Sequence, residues 1–350
     1  MKDKDVLKLK TGDKMTYYLS ETPLKANHAG SKARLDADRI IGEFCGELLH
    51  IEIKNYSSKL AKLKDKVSPN YLSKLKKLTF TKGQNVLLQY PFYFDRITNK
   101  VLKKFALQNE TTLLLHDVDA LRNFGKTSVG EEINFLNSAK LLITHNEFMT
   151  ARLKELGVTT KTTELNLFDY LLTDIPNIKR NLGKTVAFPG NLQKSAFLQD
   201  ENIAGIDATF HLYGGENPNL KAANLHYIGG FSPEVIPHKL TESFGLVWDG
   251  ESVSTCAGSF GEYLRYNNPH KLSLYIAACL PVITWNEAAI AKFIKASNIG
   301  FCVDSLEEIP HKIENMTDKD YEEFLVNLEV LQKKVVKGEY LRETLCKALG

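Results

Sequence analysis

Short apolar runs alternate along this chain with stretches in which apolar positions recur every three to four residues. The first kind predicts buried strands and the second predicts helices packed on one face. In the first half the strand-like runs are MTYYLS (15–20), LLHIEI (48–53), NVLLQY (85–90), TLLLH (112–116) and KLLITH (140–145). The second half offers KTVAFPG (184–190), ATFHLYG (208–214), NLHYIGG (224–230), FGLVW (244–248), LPVITW (280–285) and IGFCVD (299–304). Helical patterns lie between them, among them Lys32–Leu49, Ile97–Leu107 and Glu147–Leu156. Strands alternating with helices predict parallel sheets with crossover helices.

Strand character lapses over Tyr170 to Asn181, which divides the chain into 1–172 and 173–350. At the end, 318–349 reads as one or two helices, with Phe324, Leu328, Leu331 and Val335 forming one apolar stripe. Another surface of this chain or a partner must cover that stripe. Two Rossmann-like halves facing a cleft, closed by a terminal helical segment, describe the α/β architecture of GT-B glycosyltransferases. Epimerases and periplasmic-type binding proteins share the pattern, but no GxGxxG follows the first strand, which argues against an NAD(P) enzyme.

Composition narrows the picture by exclusion. A chain of 350 residues, 43% hydrophobic and 25% charged, suits two ordinary globular domains. A net charge of +3 is too balanced for bulk nucleic-acid binding. The opening MKDKDVLKLKTGDK has no apolar core, so no signal peptide is expected. The longest apolar run, near Leu272–Ile283, is interrupted by Pro281 and too short to span a bilayer. Five scattered cysteines without a CxxC pair predict neither a zinc site nor a disulfide framework. These features suggest a cytoplasmic protein with reduced thiols.

Candidate chemistry concentrates at a few junctions. In RYNNPHKLSLYIAACLPVI (265–283), Pro269 suits a helix start, and Leu272, Tyr275, Ile276 and Cys279 fall on the buried face. The unbonded N–H groups there, with Lys271 beside them, make an anion site suited to a diphosphate. Asn267, Asn268 and His270 can add hydrogen bonds to phosphate or ribose. An ordinary surface helix with a solvated lysine is the competing reading. In FPGNLQKS (188–195), Gly190 allows close backbone approach, Asn191 faces the cleft and Lys194 can meet a phosphate; a plain surface turn is the alternative. Tyr227 ends a strand and could stack on a base or simply lie half-buried. In NHAGSKARLD (27–36), Gly30 and Ser31 could turn N–H groups toward the donor, with Lys32 and Arg34 adding positive potential; a loop and N-cap would look the same.

LLLHDVDALR (113–122) places His116 and Asp117 at a strand end, where either can act as general base on an acceptor hydroxyl. Asp117-Val118-Asp119 also spells the DxD of metal-dependent transferases, but Asp36-Ala37-Asp38 does too. For Asp119 a helix N-cap is the preferred reading, and no metal is expected. SKLAKLKDKV (58–67) and YLSKLKKL (71–78) are lysine-rich with Leu60, Leu63 and Val67 at helical spacing. They read as a solvated face, or as a docking surface for an acidic partner or membrane.

From about Met15 to Leu345 the sequence resembles the accessory glucosyltransferases that glycosylate serine-rich-repeat adhesins, and more loosely galactofuranosyltransferase-like proteins. NHAGSKA, LLHDVDALR, ITHNEFM, FPGNLQKS and YNNPHKLSLYIAACLPVI carry the likeness. The resemblance implies a GT-B enzyme moving glucose from UDP-glucose to N-acetylglucosamine O-linked to Ser or Thr of the adhesin. It places the nucleotide-sugar on Tyr266, Asn267, Asn268, Pro269, His270 and Lys271, with Gly30, Ser31, Asn191, Lys194 and Tyr227 as further contacts. It also implies a homotetramer and no cofactor beyond the donor. UDP-N-acetylglucosamine and UDP-galactofuranose are alternative donors, and a non-catalytic partner of the glycosylation machinery is the alternative role. The glutamate that broader retaining relatives carry in the helix before the PV strand is missing from Lys271–Tyr275, so stereochemistry does not carry over.

Overall fold

Twelve parallel strands arranged as two sheets organise the residues described by the computed structural model, 15–22, 29–54, 56–122, 128–258 and 260–350. In the first sheet β1 (Thr16–Thr22), β2 (Gly46–Glu52), β3 (Asn85–Tyr90), β4 (Glu110–Leu115), β5 (Leu141–Thr144) and β6 (Lys161–Glu164) lie in the order β2-β1-β3-β4-β5-β6. The second holds β7 (Thr185–Pro189), β8 (Thr209–Tyr213), β9 (Leu225–Gly229), β10 (Phe244–Val247), β11 (Val282–Trp285) and β12 (Gly300–Val303), ordered β12-β11-β10-β7-β8-β9. Strand order reverses between β1 and β3 in one sheet and between β7 and β10 in the other. At such a switch point the crossover loops diverge and leave a crevice at the carboxyl ends of the strands.

Successive side chains explain the layers. Val86 and Leu88 of β3 enter one core with Leu102, Phe105 and Leu136, while Leu87 enters another with Ile40 and Ile41. Burial on both faces is why these strands read as continuous apolar runs rather than alternating ones. The second half has a single large core around Val186, Phe188, Leu246 and Ile283.

The stripe on the terminal helix is covered by the chain itself. In the helix Asp318–Val335, Phe324, Leu328 and Val335 are buried in the second core. The chain then turns at Gly338, at φ 79°, where a Cβ would stand 2.6 Å from Ile40 Cδ1. A last helix, Glu339–Leu349, packs Leu341 and Leu345 against Ile40 of the first half. Its Arg342 pairs with Glu43, with Nη2 donating at 2.8 Å.

Three local expectations are corrected. The predicted helix to Leu49 stops at Phe44, because Gly46 and the run after it are taken into β2 beside β1. β6, KTTE, gave no signal, being a short polar edge strand. Asp119 does not cap the short helix Asp119–Arg122: the buried Glu132 does, accepting from the N–H of Asp119 (3.2 Å) and of Ala120 (2.6 Å).

Candidate active site

The second switch point brings three elements together. β7 ends in Pro189-Gly190, β10 runs into Trp248-Asp249, and the helix His270–Ala277 begins between them. Lys271 Nζ donates to Asp249 Oδ1 at 2.9 Å and sits 4.5 Å above the Phe188 ring. Gly190 lies beside it, since a Cβ there would approach Lys271 Cε to 3.5 Å. Pro269 is the N-cap and offers no side-chain oxygen to the helix start. The first N–H groups therefore have no capping partner of the usual kind and, with the dipole, favour an anion.

Two acceptor atoms flank that start. His270 Nε2 faces the carbonyl of Asp169 at 3.2 Å, which can only accept, so the proton is on Nε2 and Nδ1 carries the lone pair. His270 Nδ1 and Asn267 Oδ1 are both buried with no hydrogen-bond partner within the protein. Unpaired buried acceptors are uncommon, and here they suit the hydroxyls of a bound sugar or ribose. Burial lowers the His270 pKa to about 4, so the ring is neutral at physiological pH.

Around this point the expected residues separate. Asn191 and Lys194 are exposed in the turn after Gly190, with Lys194 N–H bonded to Asn191 O at 2.9 Å. Tyr227, on the edge strand β9, is exposed and donates to Gly214 O at 3.0 Å. Gly214 in turn has φ +150° and lies so near Gly190 that a Cβ would stand 2.2 Å from its carbonyl oxygen. Glycine there keeps the ends of β7 and β8 in close backbone approach. Tyr266 turns toward the first half instead, packing on its core with Arg152 6.0 Å above the ring.

Asn268 is also drawn away. Only 4% exposed, its Nδ2 donates to His145 O (3.0 Å) and Asn166 O (2.7 Å), and its Oδ1 accepts from Asn146 (2.6 Å). Its own N–H donates to His145 Nδ1 at 3.0 Å. It bridges the two halves and holds the segment bearing Asn267, His270 and Lys271. Sequence reasoning missed His145 and Asn146 as its partners, although ITHNEFM contains both.

The first half contributes a second cluster. His116 Nε2 bonds Gln89 Oε1 at 2.7 Å, and its ring stacks on Phe168 at 5.2 Å. Burial pushes its pKa well below the ordinary value. Asp117 accepts from Tyr93 Oη at 3.1 Å and lies 3.3 Å from Arg122 Nη1. Burial raises the Asp117 pKa against the opposing pull of Arg122, Tyr93 and Tyr263. Tyr263 comes from the second half, so both halves shape this carboxylate's surroundings.

Phe168 and Tyr170, in the connection between halves, tie the clusters together. Phe168 meets His116, His145 and His270, and Tyr170 stacks on His270 at 5.0 Å. Gly30 and Ser31 open the helix Ala29–Phe44, which packs against His270–Ala277. Ser31 is buried; Asn27 and His28 of the same motif lie outside the described residues. The nearby cations are already neutralised. Lys32 pairs with Asp36 at 2.7 Å and Arg34 with Glu21, all buried, so neither adds the free positive potential the sequence suggested. Among the described residues no group of three or more His, Cys, Asp or Glu is placed to hold a metal ion.

Two Rossmann-like sheets, with an anion-suited helix start at the second switch point and a partly buried carboxylate just after β4, define a glycosyltransferase of the GT-B fold. HepE of Anabaena, solved with UDP and glucose, superposes with a TM-score of 0.61 over 96% of this chain and 99% of its own at 10% identity. WaaG, a glycosyltransferase of lipopolysaccharide biosynthesis, gives 0.53 over 96% and 98% at 13% identity. The chain belongs to the glucosyltransferase 3-like family: the family's N-terminal domain matches residues 16–167 and its C-terminal domain residues 186–348. Among its relatives, the β-1,6-galactofuranosyltransferase WbbI of Escherichia coli K12 is 32% identical, covering 94% of this chain and 97% of that protein. Glucosyltransferase 3 of Streptococcus gordonii is 26% identical, covering 76% of this chain and 79% of its own.

Proposed function

We propose that the enzyme transfers a hexose from a UDP-sugar to a hydroxyl of a glycosylated acceptor, with the second half holding the nucleotide and the first half the acceptor. The observation that carries this reading is the uncapped helix start at the second switch point, with the Lys271 ammonium beside it, held by the partly exposed Asp249. Lys271 and the first-turn N–H groups take the diphosphate, Asn267 and His270 accept from hydroxyls, and Gly190, Asn191, Lys194 and Tyr227 line the approach. Gly30 and Ser31 close on the donor from the first half, while Tyr266, Asn268 and Pro269 position the loop. In the reaction the acceptor oxygen bonds to the anomeric carbon as the carbon–oxygen bond to the diphosphate breaks. UDP leaves into the positive helix start, and the hydroxyl proton passes to Asp117, a carboxylate whose basicity burial raises while it lowers that of His116.

For the substrates, the relatives named glucosyltransferase 3 favour glucose as the sugar, and the family resemblance implies UDP-glucose as donor and N-acetylglucosamine O-linked to Ser or Thr of a serine-rich-repeat adhesin as acceptor. Galactofuranose is the second reading, favoured by WbbI, which is similar over 97% of its own length. The proposal includes assembly as a homotetramer in the cytoplasm. The test is UDP release and product mass with UDP-glucose, UDP-N-acetylglucosamine and UDP-galactofuranose, each offered a Ser/Thr-rich peptide with and without N-acetylglucosamine. Glucose added only to the modified peptide supports the first reading and galactofuranose transfer the second. No transfer from any UDP-sugar to either peptide or to a free glycoside removes both.

A further inference from the structure

Charge is distributed unevenly over this molecule. Residues 58–109 contain twelve basic and two acidic side chains, a net +10 in a chain whose total is +3. The structure removes what little negative charge the segment has. Asp65 is bonded by Lys54 at 2.9 Å and Tyr56 at 2.7 Å, and Asp95 is paired with Lys66 while capping the helix Arg96–Leu107. The side chains of Lys59, Lys62 and Lys64, on the helix Lys59–Lys66, are exposed with neither ion pair nor side-chain hydrogen bond among the described residues, and so is that of Lys76 on the next helix, Pro69–Phe80.

The same helix wastes apolar surface. It buries no residue, and Leu60, Leu63 and Val67, which share one face, are 74%, 60% and 60% exposed. Leu72, Phe80 and Ile97 are exposed nearby in the chain. Water alone does not favour leucines on a helix that needs no packing face. Apolar side chains flanked by unpaired lysines match an anionic bilayer surface, where the leucines enter the acyl boundary and the ammonium groups remain among the headgroups. The position is also suitable. Lys66 ties the helix to Asp95, two residues from Tyr93, whose hydroxyl bonds Asp117. The surface thus borders the acceptor side of the cleft. No helix among the described residues is long and apolar enough to cross a membrane, so contact of this kind is peripheral.

We propose that the face of Lys59–Lys66 bearing Leu60, Leu63 and Val67, with Lys59, Lys62 and Lys64, docks the enzyme on an anionic lipid bilayer. The inference does not depend on which sugar is transferred. Its test is co-sedimentation of the full chain with vesicles of phosphatidylglycerol and phosphatidylcholine, against pure phosphatidylcholine. Binding should require the anionic lipid and weaken steeply as salt shortens the Debye length. The combined Lys59→Glu, Lys62→Glu and Lys64→Glu variant should partition at least about tenfold less. Leu60→Ser with Leu63→Ser should also bind less tightly, at unchanged charge. Both variants alter exposed residues, so melting temperature and turnover on a soluble acceptor should be unchanged; these report on the transferase separately. Failure of the wild type to sediment with anionic vesicles overturns the proposal, as does sedimentation insensitive to the lysine variant. Equal binding to soluble polyglutamate with no effect of the leucine changes also overturns it, pointing to an acidic protein partner.

Discussion

Asp117 is a carboxylate on which opposing influences act. Arg122, Tyr93 and Tyr263 favour its charged form, yet burial outweighs them and lifts its pKa above the ordinary 3.8. A base must be ionised to accept the hydroxyl proton, so kcat/KM should fall as pH drops through this raised value. The acid limb therefore lies above that of a solvated aspartate. Asp117→Asn should lower kcat by about 10²–10⁴-fold and leave UDP affinity nearly unchanged, because the proposed diphosphate site is at Lys271 and not at this carboxylate. Steady-state rates and UDP titrations on the same preparation measure both. Full activity in the variant would move the base elsewhere. His116-Asp117 was legible at this scale because both residues end a strand. The Tyr93 and Tyr263 surroundings were not, since they come from two other segments, one of them in the second half.

Between elements, the loop before the helix His270–Ala277 is held by the first half rather than by its own sheet. Asn268→Ala deletes three side-chain hydrogen bonds and leaves buried partners unpaired, which should cost about 2–4 kcal/mol in a urea unfolding series. An unchanged midpoint would mean the bridge is not strained by the loss. His145 makes the bridge pH-sensitive: burial lowers its pKa from 6.5 to about 4. Its contribution is fully present above the unfolded value of 6.5 and is lost as pH falls toward 4, when Nδ1 takes a proton and no longer accepts from Asn268. Exchange of the Asn268 amide should accelerate across that window, beyond the ordinary pH dependence of exchange. The helix start itself was legible from Pro269, Lys271 and the apolar spacing after them. The bridging bonds of Asn268 were not legible because its partners lie more than a hundred positions away, at His145, Asn146 and Asn166. Eleven strands were visible as apolar runs, while β6 was hidden by its polarity.

For the molecule as a whole, the proposed reaction has the second half supply positive charge, at the start of the helix His270–Ala277, where the leaving diphosphate develops negative charge. That division makes a divalent ion dispensable in this account, so transfer should persist in EDTA. Loss of activity on chelation, restored by manganese, would instead give Asp117 and Asp119 a metal role. The halves were legible from the alternation of runs and helical stretches. The crossing of Glu339–Leu349 back onto the first half was not, because its apolar stripe says that it packs, not where. Calorimetric titration of UDP into the wild type and Lys271→Ala decides whether the diphosphate rests on this helix start. The variant should still fold, with a melting temperature somewhat lowered by loss of the Asp249 pair, and bind UDP roughly ten- to a hundredfold more weakly, a loss of about 1.5–3 kcal/mol. Equal UDP affinity in the folded variant would take the nucleotide away from this helix start.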